Sequence, residues 1–410
     1  MNNQRCRFCG GELNQTFLDL GLSPLANEYL TLEDCREGQF FYPLVVRVCS
    51  QCFLTQAEEY QTPEHIFRKY NYFSSYSTSW LEHCRAYVEM IITRLGLNRN
   101  SRVLEIACND GYLLQYFLER DIPAKGIDPA ENVVVEARKK GIEVDCAFFQ
   151  RETAERMAQG GEHFDLVIGN NVLAHVPDIK GFVAGLPVVL AESGTVTVEF
   201  PHLMRLIKDV QFDTIYHEHF SYLSFGTVEH IFRSCGLKVY DVEQLPTHGG
   251  SLRVYAAHLE DESHPVSDHV ANLLEEERCF GLNSLKTYQD FAPRVEQIKY
   301  DTISLLADLK RQKKTVMAFG AAAKGNTFLN YCGIKRDMVE AVFDSNVHKQ
   351  GLYLPGSLIP ILPPERLEEC RPDYLLILPW NLAGEIAAAT TKMRNWGGKY
   401  ITCIPQVRTF

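Results

Sequence analysis

Two Cys-x-x-Cys pairs, Cys6/Cys9 and Cys49/Cys52, limit what the N-terminal segment of this chain can become. Such a pair lets two thiolates approach one metal ion from a tight turn, and Gly10-Gly11 after the first pair supplies the backbone freedom that the turn needs. Two pairs complete a tetrahedral four-thiolate set, which closes the coordination sphere and leaves no position for a substrate. The spacing therefore predicts a structural zinc ion that stabilises a segment too short for its own core, with strands such as Phe40–Val46 filling the interval between the pairs. Two redox or incidental pairs are the alternative. The chain has 13 cysteines. The nine outside these pairs, such as Cys84, Cys146 and Cys235, are scattered and read as buried small hydrophobes. An odd count behind an N-terminus that opens no signal peptide argues against a disulfide framework and for a reducing cytoplasm.

Composition narrows the functional classes. The chain has 410 residues, 46% hydrophobic and 23% charged, which fits two to four globular domains rather than a disordered or fibrous protein. Its formal net charge is -11, and no concentrated Lys/Arg run interrupts it, so a general nucleic-acid or anionic-membrane partner is not expected. No apolar run reaches the length of a membrane span.

Residues of about 62–96 read as helical, with Ser77 or Thr78 as cap candidates before Trp80, Leu81, Tyr87, Ile91 and Leu95 at helical spacing. Strand-like runs then alternate with helical patterns: Val103–Ala107, Lys125–Asp128, Ile142–Phe149, Phe164–Asn170 and Thr195–Phe200. A helix over Gly226–Gly236 precedes two strands, Leu237–Val242 and Leu252–Ala257. Five β/α units and a hairpin fit a doubly wound sheet with a reversed final strand. An acidic helical stretch over about 266–313 follows, with Leu273, Leu274, Leu282, Leu285 and Phe291 as core candidates. Strand-like pieces at Thr315–Phe319, Val339–Phe343, Asp373–Leu378 and Tyr400–Ile404 predict a second α/β unit.

Val103-Leu104-Glu105-Ile106-Ala107-Cys108-Asn109-Asp110-Gly111 runs from a strand through a glycine turn into a helix, where α/β sheets hold nucleotide-like ligands. Ala107 and Asn109 stand where a dinucleotide cradle has glycines, and Glu105 and Asp110 would repel a pyrophosphate. They suit a ligand that carries an ammonium and a sulfonium. Asp128, ending the second strand, is placed to accept two ribose hydroxyls. Phe148 or Phe149 ends the third strand beside the expected adenine, and Asn170 and Asn171 end the fourth. Tyr70, Tyr72 and Tyr76 are candidates either to close over the cofactor or to pack. A second segment, Asp213-Thr214-Ile215-Tyr216-His217-Glu218-His219-Phe220-Ser221-Tyr222, is dense in titratable groups. Histidine is the side chain best matched to proton abstraction near neutral pH, while His217 and His219 with Glu218 offer a chelating alternative.

Glu105–Gly111, Asp128 and Phe164–His175 resemble the motifs of class I S-adenosylmethionine methyltransferases. The ordered set of a four-cysteine module, this core with Tyr-His-Glu-His, and a C-terminal α/β domain resembles the bacterial nucleotide-sugar 3-C-methyltransferases, such as the enzyme of tetronitrose biosynthesis. The resemblance covers essentially the whole chain. It implies a small zinc-binding module (1–66), a Rossmann-like methyltransferase domain (67–265) and a second Rossmann-like α/β domain (266–410) with a sugar-nucleotide role. It also implies a nucleotide-activated 4-keto-deoxysugar, most commonly carried on dTDP, methylated at C3. His219 then takes the place of the proposed base, with Tyr216, Glu218 and His175 as its companions. S-adenosylmethionine would meet Tyr70, Glu105, Asn109, Gly111, Asp128, Phe148 and Asn170, and zinc would bind Cys6, Cys9, Cys49 and Cys52. For the sugar nucleotide the expected contacts are Tyr222, Arg253, and Lys324 and Asn326 in the small-residue turn Gly320-Ala321-Ala322-Ala323-Lys324-Gly325-Asn326, whose backbone N–H groups suit a diphosphate. A sugar O-methyltransferase, a zinc protein that binds S-adenosylmethionine without turnover, and a dehydrogenase are the competing readings. Oligomeric state is left open.

Overall fold

The computed structural model describes residues 5–63, 75 and 78–410. The chain divides into two compact units. The first comprises Met1–Asn14, Cys49–Leu203 and Phe220–Asn283; the second comprises Gln15–Val48, Met204–His219 and Ser284–Phe410.

The first unit is built on a seven-stranded sheet in the order Leu237–Leu245, Ser251–His258, Leu190–Pro201, Phe164–Asn170, Val103–Ile106, Ala124–Ile127, Glu143–Asp145. Ser251–His258 runs antiparallel to both its neighbours and the remaining pairs are parallel, so the expected reversed strand is present. Both faces of the central strands are covered, which is why they read as near-continuous apolar runs. Strand periodicity turns Leu104 and Ile106 into one buried cluster and Val103 into another, beside Tyr87 and Ile91 of the helix Thr78–Leu95. The same alternation sends Glu105 into the second layer. The third strand is shorter than its apolar run because Ala147 N–H turns to Asp128 and Asp145 carbonyls after only three paired residues.

The helix Phe225–Ser234 begins at Ser224, whose side chain accepts from Thr227 N–H. Its first turn is also capped from another helix, Asp268–Phe280. Buried Glu277 accepts from Phe225 N at 2.6 Å and Gly226 N at 2.8 Å, and His202 Nε2 lies 2.7 Å from the same carboxylate. A negative group at a helix N-terminus satisfies two orphan donors and opposes the dipole favourably.

In the second unit, Gln15–Ser23 and Tyr42–Val48 form an antiparallel pair. Phe17 stacks on Phe291 at 4.7 Å, at the start of the long helix Phe291–Arg311. The acidic stretch is thus three helices, Asp268–Phe280, Leu285–Gln289 and Phe291–Arg311, broken first at left-handed Gly281. A six-stranded sheet follows in the order Ile361–Leu362, Val342–Phe343, Val316–Phe319, Tyr374–Ile377, Lys399–Thr402, Arg408–Thr409, parallel except for the last. Val316–Phe319 is the topological switch point, and the chain leaves it through Gly320 (φ 90°) into the helix Ala323–Cys332. No helix of the described residues is long and apolar enough to cross a membrane.

Replacing Glu277 by Ala leaves two backbone donors and an imidazole without their buried acceptor. We expect a loss of about 3 kcal/mol in urea unfolding; a loss below about 1 kcal/mol would show that the cap is dispensable.

Candidate active site and metal centre

The two cysteine pairs form matching knuckles. Gly10 N–H bonds to Cys6 O and Phe53 N–H to Cys49 O, and the residue after each second cysteine has positive φ, 73° at Gly10 and 57° at Phe53. The four sulfurs all lie within 4.8 Å of one another, with Cys6–Cys52 and Cys9–Cys49 at 3.5 Å. A tetrahedral ion with Zn–S near 2.3 Å requires sulfur separations of about 3.8 Å. The donor set therefore fits zinc, and among the described residues it is the group of His, Cys and acidic side chains positioned to share an ion. The Cys6 thiol is lowered to about 4, first by Cys52 and further by backbone N–H groups and the Gln56 amide, as a ligating thiolate requires.

At the carboxyl end of the large sheet, Ala107 and Asn109 take positive φ, 58° and 49°, where the dinucleotide cradle has glycines. Gly111 has φ 74°, and a Cβ there would fall 2.2 Å from Ile142 Cδ1. Asp128 Oδ2 accepts from Asn109 N at 2.9 Å and Oδ1 from Ala130 N at 2.9 Å, which among the described residues leaves one lone pair on each oxygen. Burial pushes this carboxyl up to about 6 against those two donors. Burial also raises Glu105 well above the carboxylate range, with the Tyr112 hydroxyl opposing. Neither atom of the Asn170 amide has a partner among the described residues, although it is buried at the end of its strand. Unmet buried acceptors and an unmet amide around a positive-φ loop fit a ligand with an ammonium, a sulfonium and a ribose. Phe148 is half-buried beside this end, whereas Phe149 packs against Phe182 at 5.4 Å in the core. Tyr70, Tyr72, Tyr76 and Ser77 lie outside the described residues.

Tyr216, Glu218 and His219 belong to the second unit. His219 Nδ1 lies 2.8 Å from Thr214 O and Nε2 lies 2.8 Å from the Tyr216 hydroxyl. A carbonyl only accepts, so Nδ1 carries the proton and Nε2 presents the basic lone pair. His217 is directed elsewhere: it is buried, its Nε2 faces Pro43 O at 3.2 Å, and burial lowers its pKa. The His-x-His pair is thus divided between two backbone carbonyls rather than turned toward one ion. Glu218 accepts from Asn27 Nδ2 at 2.7 Å, and burial raises it to about 7. Thr327 Oγ1 donates to Ile215 O, and Asp213 accepts from Trp380 Nε1 at 2.8 Å. Lys324 donates to Asn381 Oδ1 at 3.0 Å and sits 5.3 Å from the centre of the Trp380 ring; burial lowers its pKa. Buried Asn326 donates to Ala26 O, and its Oδ1 has no partner among the described residues. The Ala321 N–H is not free for a phosphate, because Asp344 Oδ2 accepts it at 2.7 Å.

His175, Tyr222 and Arg253 belong to the first unit. His175 is half-buried, and Tyr222 lies in a two-residue strand paired with Thr55. Arg253, expected at the sugar or its diphosphate, has its guanidinium on Glu199 at 3.0 Å and Glu243 at 3.2 Å and over the Tyr87 ring. His83 Nε2 also lies 3.0 Å from Glu199. Sequence reasoning missed Asn27, Asp213 as the Trp380 partner, and the Glu199–His83 pair. Each is joined by long-range folding, and no local spacing marks it.

Three family descriptions match in chain order: a zinc binding domain over residues 6–67, a methyltransferase domain over 80–242 and a C-methyltransferase C-terminal domain over 246–405. The C-methyltransferase NovU of Streptomyces niveus is 38% identical over 403 residues, 98% of this chain and 96% of that protein. The chain belongs to the C-methyltransferase family. It is a methyltransferase dependent on S-adenosylmethionine, with an N-terminal zinc-binding domain. A ubiquinone biosynthesis O-methyltransferase of Rhizobium etli is 31% identical over 101 residues, 24% of this chain and 40% of that protein. The magnesium protoporphyrin IX methyltransferase of Synechocystis, solved with S-adenosylhomocysteine, is 15% identical with a TM-score of 0.34, covering 43% of this chain and 82% of that one.

Two measurements check the site. Gly111→Ala in this C-methyltransferase combines an unfavourable φ with the Ile142 contact, so S-adenosylhomocysteine binding is expected to weaken about tenfold or more in calorimetry. Glu218 is neutral up to about pH 7 in the folded chain and ionises near 4.5 when unfolded, so folding takes up a proton in that window. Stability therefore falls as pH rises from about 4.5 to 7 and levels off above. Glu218→Gln keeps the Asn27 bond without that loss. It should match the parent in urea unfolding at pH 4.5 and exceed it at pH 8 by on the order of 2–4 kcal/mol.

Proposed function

We propose that the substrate is a nucleotide-activated 4-keto-deoxysugar, with dTDP its most common carrier in the family that the sequence resembles, and that the methyl group is added to C3. The observation that carries this reading is the imidazole of His219, held in one tautomer by the Thr214 carbonyl with Nε2 as the basic atom. Carbon methylation needs a base more than a Lewis acid, because a C–H next to a ketone is acidic only through the enolate that its removal forms.

His219 Nε2 accepts the C3 proton, and the Thr214 carbonyl stabilises the imidazolium that results. The Tyr216 hydroxyl, 2.8 Å away, donates to Nε2 before substrate binds; the C3–H must displace it there, which turns that hydroxyl to the developing C4 oxyanion, with His175 as the alternative donor. Glu218, raised by burial to about 7, can in its protonated form give a hydrogen bond to a sugar oxygen while Asn27 holds its other side. Glu105, Asn109, Gly111, Asp128, Phe148 and Asn170 would hold S-adenosylmethionine, which supplies an electrophilic methyl group when bound. Lys324 and Asn326 Oδ1, which has no partner among the described residues, support a sugar-nucleotide role for the C-terminal unit, and Tyr222 is the proposed contact from the strand after the catalytic loop.

The test is made on a panel of nucleotide 4-keto sugars in D2O. The parent enzyme should exchange the C3 proton and yield a C-methyl signal by NMR. His219→Ala should lower both exchange and turnover by about 10³-fold while S-adenosylhomocysteine binding is unchanged. A methoxy product would move the reading to a sugar O-methyltransferase, and near-normal turnover by the variant would remove His219 as the base.

A further inference from the structure

The zinc clip is not a free-standing staple. Cys6, Phe8, Cys49, Cys52 and Leu54 share one buried cluster with Leu223, Phe225 and Val228 of the first unit. Inside the first knuckle, between two metal-ligating cysteines, Arg7 turns its guanidinium away from the sulfurs. Its Nη1 donates to Phe220 O at 2.8 Å and its Nη2 donates to Ala57 O, while its backbone N–H donates to Gln56 Oε1 at 3.1 Å. Gln56 in turn donates to Cys6 Sγ at 3.3 Å and pairs with Ser221. From the second knuckle, Cys52 O accepts from Thr227 Oγ1 at 3.3 Å. Both knuckles therefore hold the segment that starts at Phe220, the residue bonded directly to His219. The Phe220 N–H donates to Ala174 O at 2.8 Å, and Ala174 precedes His175.

We propose that Arg7 is a positioning residue: through it the zinc clip sets the backbone at Phe220, and so the placement of His175, whose neighbour Ala174 accepts from the Phe220 N–H. This rests on the proposed role of that histidine. A guanidinium suits the task because its rigid fork reaches two carbonyls at once, which a single ammonium cannot reproduce. The Phe220 peptide is then gripped on both sides, its oxygen by Arg7 and Ala57 N–H and its N–H by Ala174.

The experiment uses the full-length zinc-loaded chain carrying Arg7→Met, which keeps the aliphatic stem, and Arg7→Lys. Elemental analysis gives the zinc content, hydrogen exchange with mass spectrometry follows peptides containing Ala57 and Phe220, and steady-state kinetics use the keto-sugar panel. Arg7→Met should retain one zinc per chain, exchange faster at both peptides and lose about 10–100-fold in kcat with KM within about twofold. Arg7→Lys should recover part of the loss. Should Arg7→Met lose its metal, the zinc-retaining Lys variant decides on the same readouts. Unchanged exchange overturns the link whatever the parent enzyme methylates, and faster exchange with unchanged kcat overturns its catalytic consequence. A parent that makes no C-methyl sugar defeats the proposed function instead, and the exchange data still judge the link.

Discussion

Four thiol sulfurs within 4.8 Å of one another are tolerable as thiolates only around a cation. That constraint organises the N-terminal part of the chain. It closes the backbone between residues 9 and 49, at the two ends of the segment that belongs to the second unit, and so removes much of the entropy of that excursion. The clip also presents Arg7, Gln56 and the Cys52 carbonyl to the stretch beginning at Phe220.

The methyltransferase layer shows a second economy of design. An acidic strand-to-helix turn does without two of the glycines of a dinucleotide cradle because Ala107 and Asn109 adopt positive φ, held by Asp128 on the Asn109 N–H. Among the described residues, the same carboxylate keeps a lone pair on each oxygen. Desolvation raises the pKa of the buried acids Glu105 and Asp128, and a cation beside them would oppose that shift. The loop is thus tuned by charge as well as shape, which fits a sulfonium cofactor better than a diphosphate.

In the second unit, the outer and inner residues of Tyr216-His217-Glu218-His219 have different surroundings. Tyr216 and His219 are half-buried, while His217 and Glu218 are buried. Four titratable groups in a row therefore have different physical roles. One imidazole is anchored to Pro43 with its pKa lowered by burial, the other has Nδ1 on Thr214 and Nε2 on the Tyr216 hydroxyl, and burial raises Glu218 to about 7.

The sequence by itself marked the four-cysteine group, the acidic strand-to-helix loop, the order of the strands along the chain and the segment dense in histidine. Each of these is written in local spacing: two cysteines per turn, a glycine after a strand, alternating apolar residues. Only the tertiary structure decided what those residues meet. It gave His219 its tautomer through Thr214, placed Asn27 on Glu218, and put Trp380 on Asp213 and Asp344 on the Ala321 N–H. It also held Arg253 between Glu199 and Glu243 and shortened the third strand. These partners lie tens to hundreds of residues apart in most cases. The energy that selects them is the cost of leaving a buried polar group unpaired, which no local pattern of residues records.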